Sequence, residues 1–377
     1  MGADRIEWTR GDITKWVQLP KEIALDYILL TPVGEGTYGK VYVAENAHTQ
    51  ERVAIKILSL LNVSEGVPPT TMREMALLKD LNHPNIVQLH NIFVGIESIA
   101  FVFELCETDL GQVLDIRIKS QTYLDRSYVR SIMLQLLSAL NYVHSKNVLH
   151  RDIKPQNVLL TSGGIVVKLA DFGLSVKYGL SPDHEQKYCT AITLWYRPPE
   201  LLLGEIYYGP EAEVWSVGCL FAELLMTQTI LNGSSECHQL RKIFSLLEVP
   251  HNVYEIFPDL DKLPFLYEPI HHRNSRLARY LPSVVDPITQ DLLLRMLTID
   301  PRQRITIEEA LAHPYFTPET TQDIIPSITP LRLAQIAQSI VPKLKQQDVI
   351  EPMSSDTIYR ASLTRLAKNA IKKQEEE

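Results

Sequence analysis

The sequence has few cysteines, only four in 377 residues, and they lie far apart: Cys106, Cys189, Cys219 and Cys237. None forms a CxxC pair, so neither a disulfide framework nor a zinc site is predicted, which is typical of a reducing compartment. Long apolar runs are also missing, since no stretch approaches the roughly 18 residues that a membrane span needs. The first ten residues carry no apolar run, so we expect no signal peptide.

An excess of basic residues is the third missing feature, because 37 Lys and Arg residues face 45 Asp and Glu residues, for a net charge of −8. A protein that binds nucleic acid over a broad surface needs the opposite sign. We therefore expect no direct nucleic-acid partner and no membrane partner. The remaining composition, 45% hydrophobic and 22% charged, is that of a soluble chain with about two globular units.

The most informative stretch lies at positions 150–157, with the sequence HRDIKPQN, and Asp171-Phe172-Gly173 follows it. It combines an aspartate that can accept a hydroxyl proton (Asp152), a nearby lysine (Lys154) and an amide that can bind a metal ion (Asn157). Asp171 supplies a second carboxylate. Phosphoryl transfer needs such a set, because its catalysis consists of positioning and charge neutralisation. The alternative is a turn with chance charges, which two motifs in this order and spacing disfavour.

A glycine-rich stretch at positions 34–39 precedes this set, and three interpretations of it compete. A dinucleotide-binding turn should open a helix, but positions 41–43 carry strand-forming residues. A Walker A loop needs Ser or Thr after Lys40, where Val41 stands. A hairpin whose glycines let backbone amides approach ATP phosphates expects a strand on each side. A plain glycine-rich hairpin without a ligand is the simplest alternative.

A lysine inside an apolar run, Lys56 at positions 53–58, is a second candidate for phosphate binding. Alone, such a lysine usually extends to water. A helix is predicted to follow, with prolines near its start and Thr70 as its possible cap, and Glu74 and Leu78 share one of its faces because they are four residues apart. Glu74 can therefore turn inward to Lys56, although a surface glutamate is the simpler interpretation.

Two further elements are predicted around the HRDIKPQN stretch. Apolar residues recur at helical spacing over 129–146 and predict a buried helix that leads into it. Apolar runs at 158–160 and 166–169 flank Gly163 and Gly164, which indicates a hairpin. Such a hairpin would bring the two ends of the run, Asn157 and Asp171, near one another.

Together these motifs resemble those of the eukaryotic protein kinases, over residues 27–316. The resemblance implies an α+β, two-lobed protein kinase fold, with a small antiparallel β-sheet lobe that carries one key helix and a larger, mainly α-helical lobe. The implied domains are an N-terminal extension at 1–26, the kinase N-lobe at 27–107, the C-lobe at 108–316 and a C-terminal tail at 317–377. Glu200, at the end of the activation segment's closing motif, is implied to pair with Arg304.

The resemblance also implies ATP and Mg²⁺ as cofactors, with Asn157 and Asp171 as the metal ligands. Asp152 would be the base that orients the substrate hydroxyl, and Lys154 would stabilise the transferring phosphate. The implied catalytic residues are Asp152, Lys154, Lys56, Glu74 and Thr193. The implied nucleotide-binding residues are Val33, Gly34, Glu35, Gly36, Gly39, Val41, Ala54, Lys56, Phe103, Glu104, Cys106, Asp109, Gln156, Asn157, Leu159 and Asp171.

The branch of the family is indicated by three stretches. Lys154 within HRDIKPQN is typical of serine/threonine kinases. Positions 195–197, with the sequence WYR, resemble the cyclin-dependent kinases and MAP kinases, in which the arginine turns away a backbone carbonyl, here near Ile192, and leaves a pocket that suits proline. Positions 66–74 resemble the cyclin-binding helix. We therefore expect a cyclin-dependent type of kinase that phosphorylates Ser/Thr-Pro sites in protein substrates, needs a cyclin-like activating subunit, and is located in the nucleus and/or cytoplasm.

Two alternatives stay open. A MAP-kinase-like enzyme would carry Thr-x-Tyr in the activation loop, whereas positions 187–190 have the sequence KYCT. A weakly active or pseudokinase scaffold that binds a cyclin is the other. The sequence does not decide which cyclin or substrate is used, or whether Tyr188 or Thr190 is phosphorylated for activation.

The scaffold alternative rests on two departures from the family pattern. Val176 stands where a third phosphate-binding arginine is expected beside Arg73 and Arg151. Glu213 replaces the aspartate that normally braces the catalytic loop. A glutamate is one methylene longer but can still accept amide hydrogen bonds, so we expect a modest loss of rigidity rather than inactivity.

Overall fold

The computed structural model of the chain describes residues 21–36, 39–60, 67–96, 98–161, 163–178, 192–205, 208–258, 260, 274–282 and 285–317. Tyr188, Thr190 and the predicted tail therefore lie outside the described residues. The described part of the chain falls into two compact units, one ending at Thr108 and the other beginning at Asp109. The predicted limits of the N-terminal extension and of the tail stay predictions.

The smaller unit is an antiparallel sheet with two helices. In sequence, one helix precedes the first three strands and the other follows them. Its elements are α1 (Lys21–Asp26), β1 (Tyr27–Gly36), β2 (Gly39–Asn46), β3 (Arg52–Ser59), α2 (Pro69–Asp80), β4 (Leu89–Val94) and β5 (Ser98–Glu104). The strand order is β1-β2-β3-β5-β4, and every neighbouring pair is antiparallel. Alternate residues of β3 point into the core, as strand geometry requires, and Ile23 from α1 joins them there, fully buried.

The start of α2 is marked by prolines as predicted, but Thr70 is not its cap. The helix begins at Pro69, Pro68 occupies the N-cap position, and no side chain accepts a capping hydrogen bond. Proline at the first helical position needs no partner for an N–H group and has a preset φ, so the two prolines start the helix without a polar cap. Glu74 is 5% exposed, which fixes the inward face of α2.

The larger unit is mainly helical. After β6 (Thr108–Asp109), at the division between the units, it contains α3 (Leu110–Ser120), α4 (Arg126–Ser145), β7 (Val148–Leu149), β8 (Val158–Thr161), β9 (Val166–Leu169), β10 (Val176–Lys177), α5 (Pro199–Leu202), α6 (Pro210–Met226), α7 (Glu236–Leu246), α8 (Val253–Ile256), α9 (Pro287–Met296) and α10 (Ile307–Leu311). Short 3-10 turns lie at Pro155–Asn157, Phe172–Leu174, Leu194–Tyr196, Leu277–Arg279, Pro301–Gln303 and Pro314–Phe316.

The core of this unit forms around α4 and α6. The predicted helix over 129–146 is confirmed as α4, whose N-cap Asp125 accepts hydrogen bonds from the backbone of Ser127 and Tyr128. In α6 every residue from position 212 to 226 is buried. Helices that are buried to this extent give the loops at their ends a rigid support.

The predicted hairpin is also confirmed, since β8 and β9 pair antiparallel with Val158 opposite Leu169. Its turn contains Gly163 and Gly164 at φ 71° and 88°, in the left-handed region that glycine enters without steric cost. Within the described ranges, no helix is both long and apolar enough to cross a bilayer.

Candidate active site

The glycine-rich stretch forms the hairpin end of β1 and β2, with Gly36 opposite Gly39. Because β2 is a strand, the helix-opening dinucleotide turn is excluded. Gly39 has φ 150°, and a Cβ atom there would lie 2.2 Å from the carbonyl oxygen of Ile57 and 2.8 Å from Leu58 Cδ2. Only glycine therefore allows β2 and β3 to approach this closely.

Lys56 and Glu74 form an ion pair across the smaller unit. Lys56 lies in β3 between Val41 of β2 and Phe101 of β5, and its Nζ donates to Glu74 Oε1 at 2.9 Å. Their side chains are only 15% and 5% exposed. The interpretation of Glu74 as a surface residue is therefore wrong, and the pairing holds a lysine ammonium in a fixed place at the centre of the sheet.

The other predicted nucleotide-binding residues of this unit lie along β1 to β5 and just beyond. Gly34, Glu35 and Gly36 belong to β1, and Val33 lies where the β1–β2 register shifts. Glu104 ends β5, where its Oε1 accepts from the backbone of Gln88 at 2.7 Å. The half-buried members of the set are Val33, Val41, Ala54, Phe103, Glu104 and Cys106.

In the larger unit, the Asp152 carboxylate collects three hydrogen bonds. Its Oδ2 accepts from Lys154 Nζ at 2.6 Å and from Asn157 Nδ2 at 2.8 Å, and its Oδ1 accepts from Thr193 Oγ1 at 2.8 Å. Asp152 itself is 4% exposed. The structure thus joins three other predicted site residues to the Asp152 carboxylate, including Thr193, which is 41 positions away in the chain.

Asn157 and Asp171, the two metal ligands that the resemblance implies, lie at the two ends of the β8–β9 hairpin. Asn157 Nδ2 donates to both the backbone oxygen and the carboxylate of Asp152 at 2.8 Å, which orients the amide and leaves its oxygen as an acceptor. The backbone N–H of Ala170 donates to the Asn157 carbonyl at 2.9 Å, so the backbone that leads into Asp171 lies next to Asn157. Asp171 is exposed and has φ 65°. No described group of three or more His, Cys, Asp or Glu residues could hold a metal ion, but Mg²⁺ commonly uses one or two carboxylates together with phosphate oxygens.

Of the remaining predicted residues of the larger unit, Asp109 has an additional structural role. Asp109 is the N-cap of α3, where its carboxylate accepts from the backbone and the side chain of Gln112 at 3.0 and 2.5 Å. An aspartate directly before a helix is a signal for this role, and the sequence analysis missed it. Gln156 is exposed in its 3-10 turn, and Leu159 is half-buried in β8.

The Glu213 carboxylate of α6 contacts the backbone of the HRDIKPQN stretch at Arg151. Its Oε1 accepts from the backbone N–H of Arg151 at 2.5 Å, and its Oε2 lies 2.6 Å from His144 Nε2. Arg151 has φ 68°, a left-handed conformation that a residue with a side chain adopts at some cost, so this hydrogen bond holds a strained backbone in place. Burial raises the Glu213 pKa, but the hydrogen bond and charge of His144, the charge of His150 and the backbone hydrogen bond from Arg151 together outweigh it, and the pKa is lowered. The predicted hydrogen bond from a backbone amide to the Glu213 carboxylate is therefore present.

His144 is a site residue that the sequence analysis did not identify. It lies in the last turn of α4, four residues after the buried Leu140, and is 8% exposed. A histidine on the apolar face of a helix, together with Glu213 in the largely apolar α6, is the signal that was available.

Replacing Glu213 by glutamine should remove a pH-dependent part of the stability. A carboxylate whose pKa is lowered in the folded state stabilises that state above its unfolded pKa of about 4.5, and this contribution is lost as pH falls through the folded pKa. The gap between the urea midpoints of the wild type and Glu213→Gln should therefore narrow as pH falls below about 4.5. Glu248→Gln, at an exposed position of the same unit, is the control. A gap that stays constant with pH would contradict the assignment.

The segment after Thr193 is held by two arginines, and Arg197 is the first. It is 8% exposed, and its Nε and Nη2 donate to the carbonyl of Ile192 at 3.1 and 2.9 Å. Its Nη1 donates to Glu236 Oε1 at 2.5 Å. The carbonyl of Ile192 is thus bound by the chain itself.

The second arginine, Arg304, pairs with Glu200 as the resemblance implied. The two bonds are parallel, at 2.8 and 3.0 Å, and the side chains are 0% and 4% exposed. Arg304 also donates to the backbone of Glu211 and Thr298 at 2.7 and 3.0 Å. It therefore ties the end of the segment to the start of α6 and to the chain that precedes α10.

A strand-rich unit with a buried Lys–Glu pair and a helical unit with a buried, hydrogen-bonded aspartate beside an Asn–Asp pair are the parts of a phosphotransferase. The chain matches the model of the protein kinase domain over residues 27–316. It therefore belongs to the protein kinase family. The predicted α+β, two-lobed kinase fold is confirmed, with its antiparallel β-sheet lobe and its helical lobe, and ATP is the substrate that this family implies.

Proposed function

We propose that this kinase is a serine/threonine kinase of cyclin-dependent type, which phosphorylates Ser or Thr followed by Pro and is activated by a cyclin-like subunit. The observation that carries the proposal is the pair of hydrogen bonds from Arg197 to the carbonyl of Ile192. Ile192 directly precedes Thr193 in the sequence, and the Thr193 hydroxyl contacts Asp152. The Ile192 carbonyl therefore lies next to the place where a substrate would react.

The physical reason concerns the residue after the phosphorylated one. Most residues there carry an N–H group, which loses its water on binding and needs an acceptor. The carbonyl of Ile192 is already occupied by Arg197 and is a poor acceptor for it. Proline has no N–H group, so it leaves no donor unsatisfied and its ring can pack against the segment. The preference for proline thus comes mainly from the penalty on other residues.

The catalytic roles follow from the hydrogen bonds around Asp152. Asp152 orients the substrate hydroxyl and accepts its proton, and Thr193 holds the second carboxylate oxygen in place. Lys154, which donates to the same carboxylate, would stabilise the transferring phosphate. Asn157 and Asp171 would hold Mg²⁺, which when bound neutralises negative charge on the phosphates.

Lys56, held by Glu74, would position the α- and β-phosphates of ATP in the same proposal. The helix that carries Glu74 also favours a protein partner. On α2, Glu74 is buried whereas Met72 is 55% exposed, so the helix offers an apolar side chain on the face opposite to the ion pair. An activating subunit that covers this face would hold Glu74 on Lys56.

The proposal is tested by phosphate transfer from ATP and Mg²⁺ to a Ser-Pro peptide and to a matched Ser-Ala peptide. The full chain is assayed alone and with a panel of cyclins, beside Asp171→Asn as the inactive control. We expect transfer that depends on a cyclin and on Asp171, with kcat/KM for Ser-Pro at least about tenfold above Ser-Ala, since one unsatisfied buried N–H group costs that much.

Equal transfer to both peptides would contradict the assigned preference. Full activity without any cyclin would contradict the activating subunit and favour the MAP-kinase-like alternative. Tight cyclin binding without transfer would favour the scaffold, and Glu213→Asp would then be the first reversion to make.

A further inference from the structure

The first turn of α7 stands against the segment that contains Trp195 and Arg197. We propose that Glu236, in this turn, is a positioning residue for the recognition of proline and acts through Arg197. This inference rests on the proposed function, because it assumes that Arg197 sets the preference for the residue after the phosphorylation site.

Glu236 supplies the counter-charge for a guanidinium with little access to water. The Arg197 side chain is 10% exposed; its Nε and Nη2 donate to the carbonyl of Ile192, and its Nη1 donates to Glu236 Oε1. A buried cation needs such a partner. Since the guanidinium is planar and rigid, the bond to Glu236 fixes the direction in which Nε and Nη2 point, toward the carbonyl of Ile192.

Glu236 can only have this effect if α7 itself is fixed, and Gln239 fixes it. Gln239 is fully buried, its Oε1 accepts from the backbone of Gly233 at 2.7 Å, and its Nε2 donates to the Trp195 carbonyl at 3.2 Å. Trp195 Nε1 donates back to the Gly233 carbonyl at 3.0 Å. These three bonds close a ring that attaches the start of α7 to Trp195, two positions before Arg197.

Gly233 makes this ring possible. A Cβ atom at Gly233 would lie 2.6 Å from the backbone nitrogen and from the Cα atom of Gln239. Both are backbone atoms that cannot move aside, so the close approach requires glycine. The ring of hydrogen bonds therefore depends on the close backbone approach at Gly233. Glu236 lies in the first turn of α7, where an acidic side chain is favoured, and there it contacts Arg197.

Loss of Glu236 should therefore change substrate choice more than catalysis. Without its counter-charge, the Arg197 guanidinium is drawn toward water, and the Ile192 carbonyl becomes available to an incoming N–H group. The backbone N–H group of the alanine in a Ser-Ala peptide can then donate to this carbonyl. A Ser-Pro peptide gains nothing, because proline has no N–H group, and the segment that it packs against is no longer held by Arg197. Asp152, Lys154 and Asn157 do not contact Glu236 in any of the described hydrogen bonds.

The test measures kcat/KM of Glu236→Ala and Glu236→Gln on the Ser-Pro and Ser-Ala peptides, with the activating cyclin present. We expect the Ser-Pro to Ser-Ala ratio to fall about tenfold in Glu236→Ala and less in Glu236→Gln, which keeps an acceptor oxygen but loses the charge. Glu248→Gln is the matched control, since it removes an exposed carboxylate of the same unit. Arg197→Lys should lower the ratio as well, and adding Glu236→Ala to it should have little further effect, because both changes act on one interaction.

The outcomes separate this inference from the function on which it rests. A wild type without preference for proline overturns both. A wild type that prefers proline, with variants that keep the same ratio, overturns the role of Glu236 alone. Equal loss of transfer to both peptides with a lowered unfolding midpoint shows a merely structural role and also overturns it. A crystal structure of Glu236→Ala gives an answer independent of activity, because Arg197 that still donates to Ile192 contradicts the inference.

Discussion

Asp152→Asn is expected to lower kcat by about a hundredfold to ten-thousandfold, the range that positioned proton transfer contributes. Asparagine cannot accept the hydroxyl proton. It also places an amide N–H group among the donors of Lys154, Asn157 and Thr193, which lie 2.6 to 2.8 Å from the present carboxylate. Single-turnover transfer from ATP to a Ser-Pro peptide, compared with the wild type, measures the loss directly.

The binding of ATP and the fold should survive this change, because asparagine has nearly the same volume. The unfolding midpoint and the affinity for a fluorescent ATP analogue are therefore measured beside the rate. Asp80→Asn, the same substitution at an exposed position at the end of α2, should transfer phosphate at the wild-type rate. A kcat of Asp152→Asn within about threefold of the wild type would mean that another group accepts the proton.

Elements with a local pattern were predictable from the sequence. The apolar spacing over 129–146 and the glycine pair at 163–164 were sufficient for α4 and for the β8–β9 hairpin. The prolines were also sufficient for the start of α2, but its cap was predicted wrongly, because the rule that favours a polar cap competes with the rule that favours proline at the first position, and proline prevailed. The burial of Ile23 was also missed, since six residues of helix have no periodicity of their own.

The contacts of the candidate site likewise include some that could be predicted from the sequence and some that could not. Lys56 and Glu74 could be paired from their surroundings in the chain, and the HRDIKPQN stretch holds its own members together. His144 with Glu213, and Arg197 with Glu236, are joined across 69 and 39 positions. A contact between two side chains that distant has no period or spacing to indicate it. The pair of Glu200 and Arg304, 104 positions apart, was predicted only because the family resemblance implied it.

The stability of the larger unit should depend strongly on Arg304. Arg304→Met leaves the Glu200 carboxylate buried without a partner and removes the donors that serve the carbonyls of Glu211 and Thr298. Breaking one side of a buried pair costs about 3–5 kcal/mol. For a unit of this size the midpoint of thermal unfolding should fall by about 10 °C. Thermal denaturation followed by circular dichroism measures it.

A double variant identifies the cause of this loss. Glu200→Gln together with Arg304→Met removes both charges, so its midpoint should lie above the value expected from adding the two single losses. A purely additive result would show that packing of the arginine, which lies 5.1 Å above the ring of Trp215, accounts for the effect rather than the stranded carboxylate. Arg302→Met, two positions earlier, is the matched control. Its side chain is 72% exposed, and solvent screens its pairing with Asp300, so the midpoint should change far less.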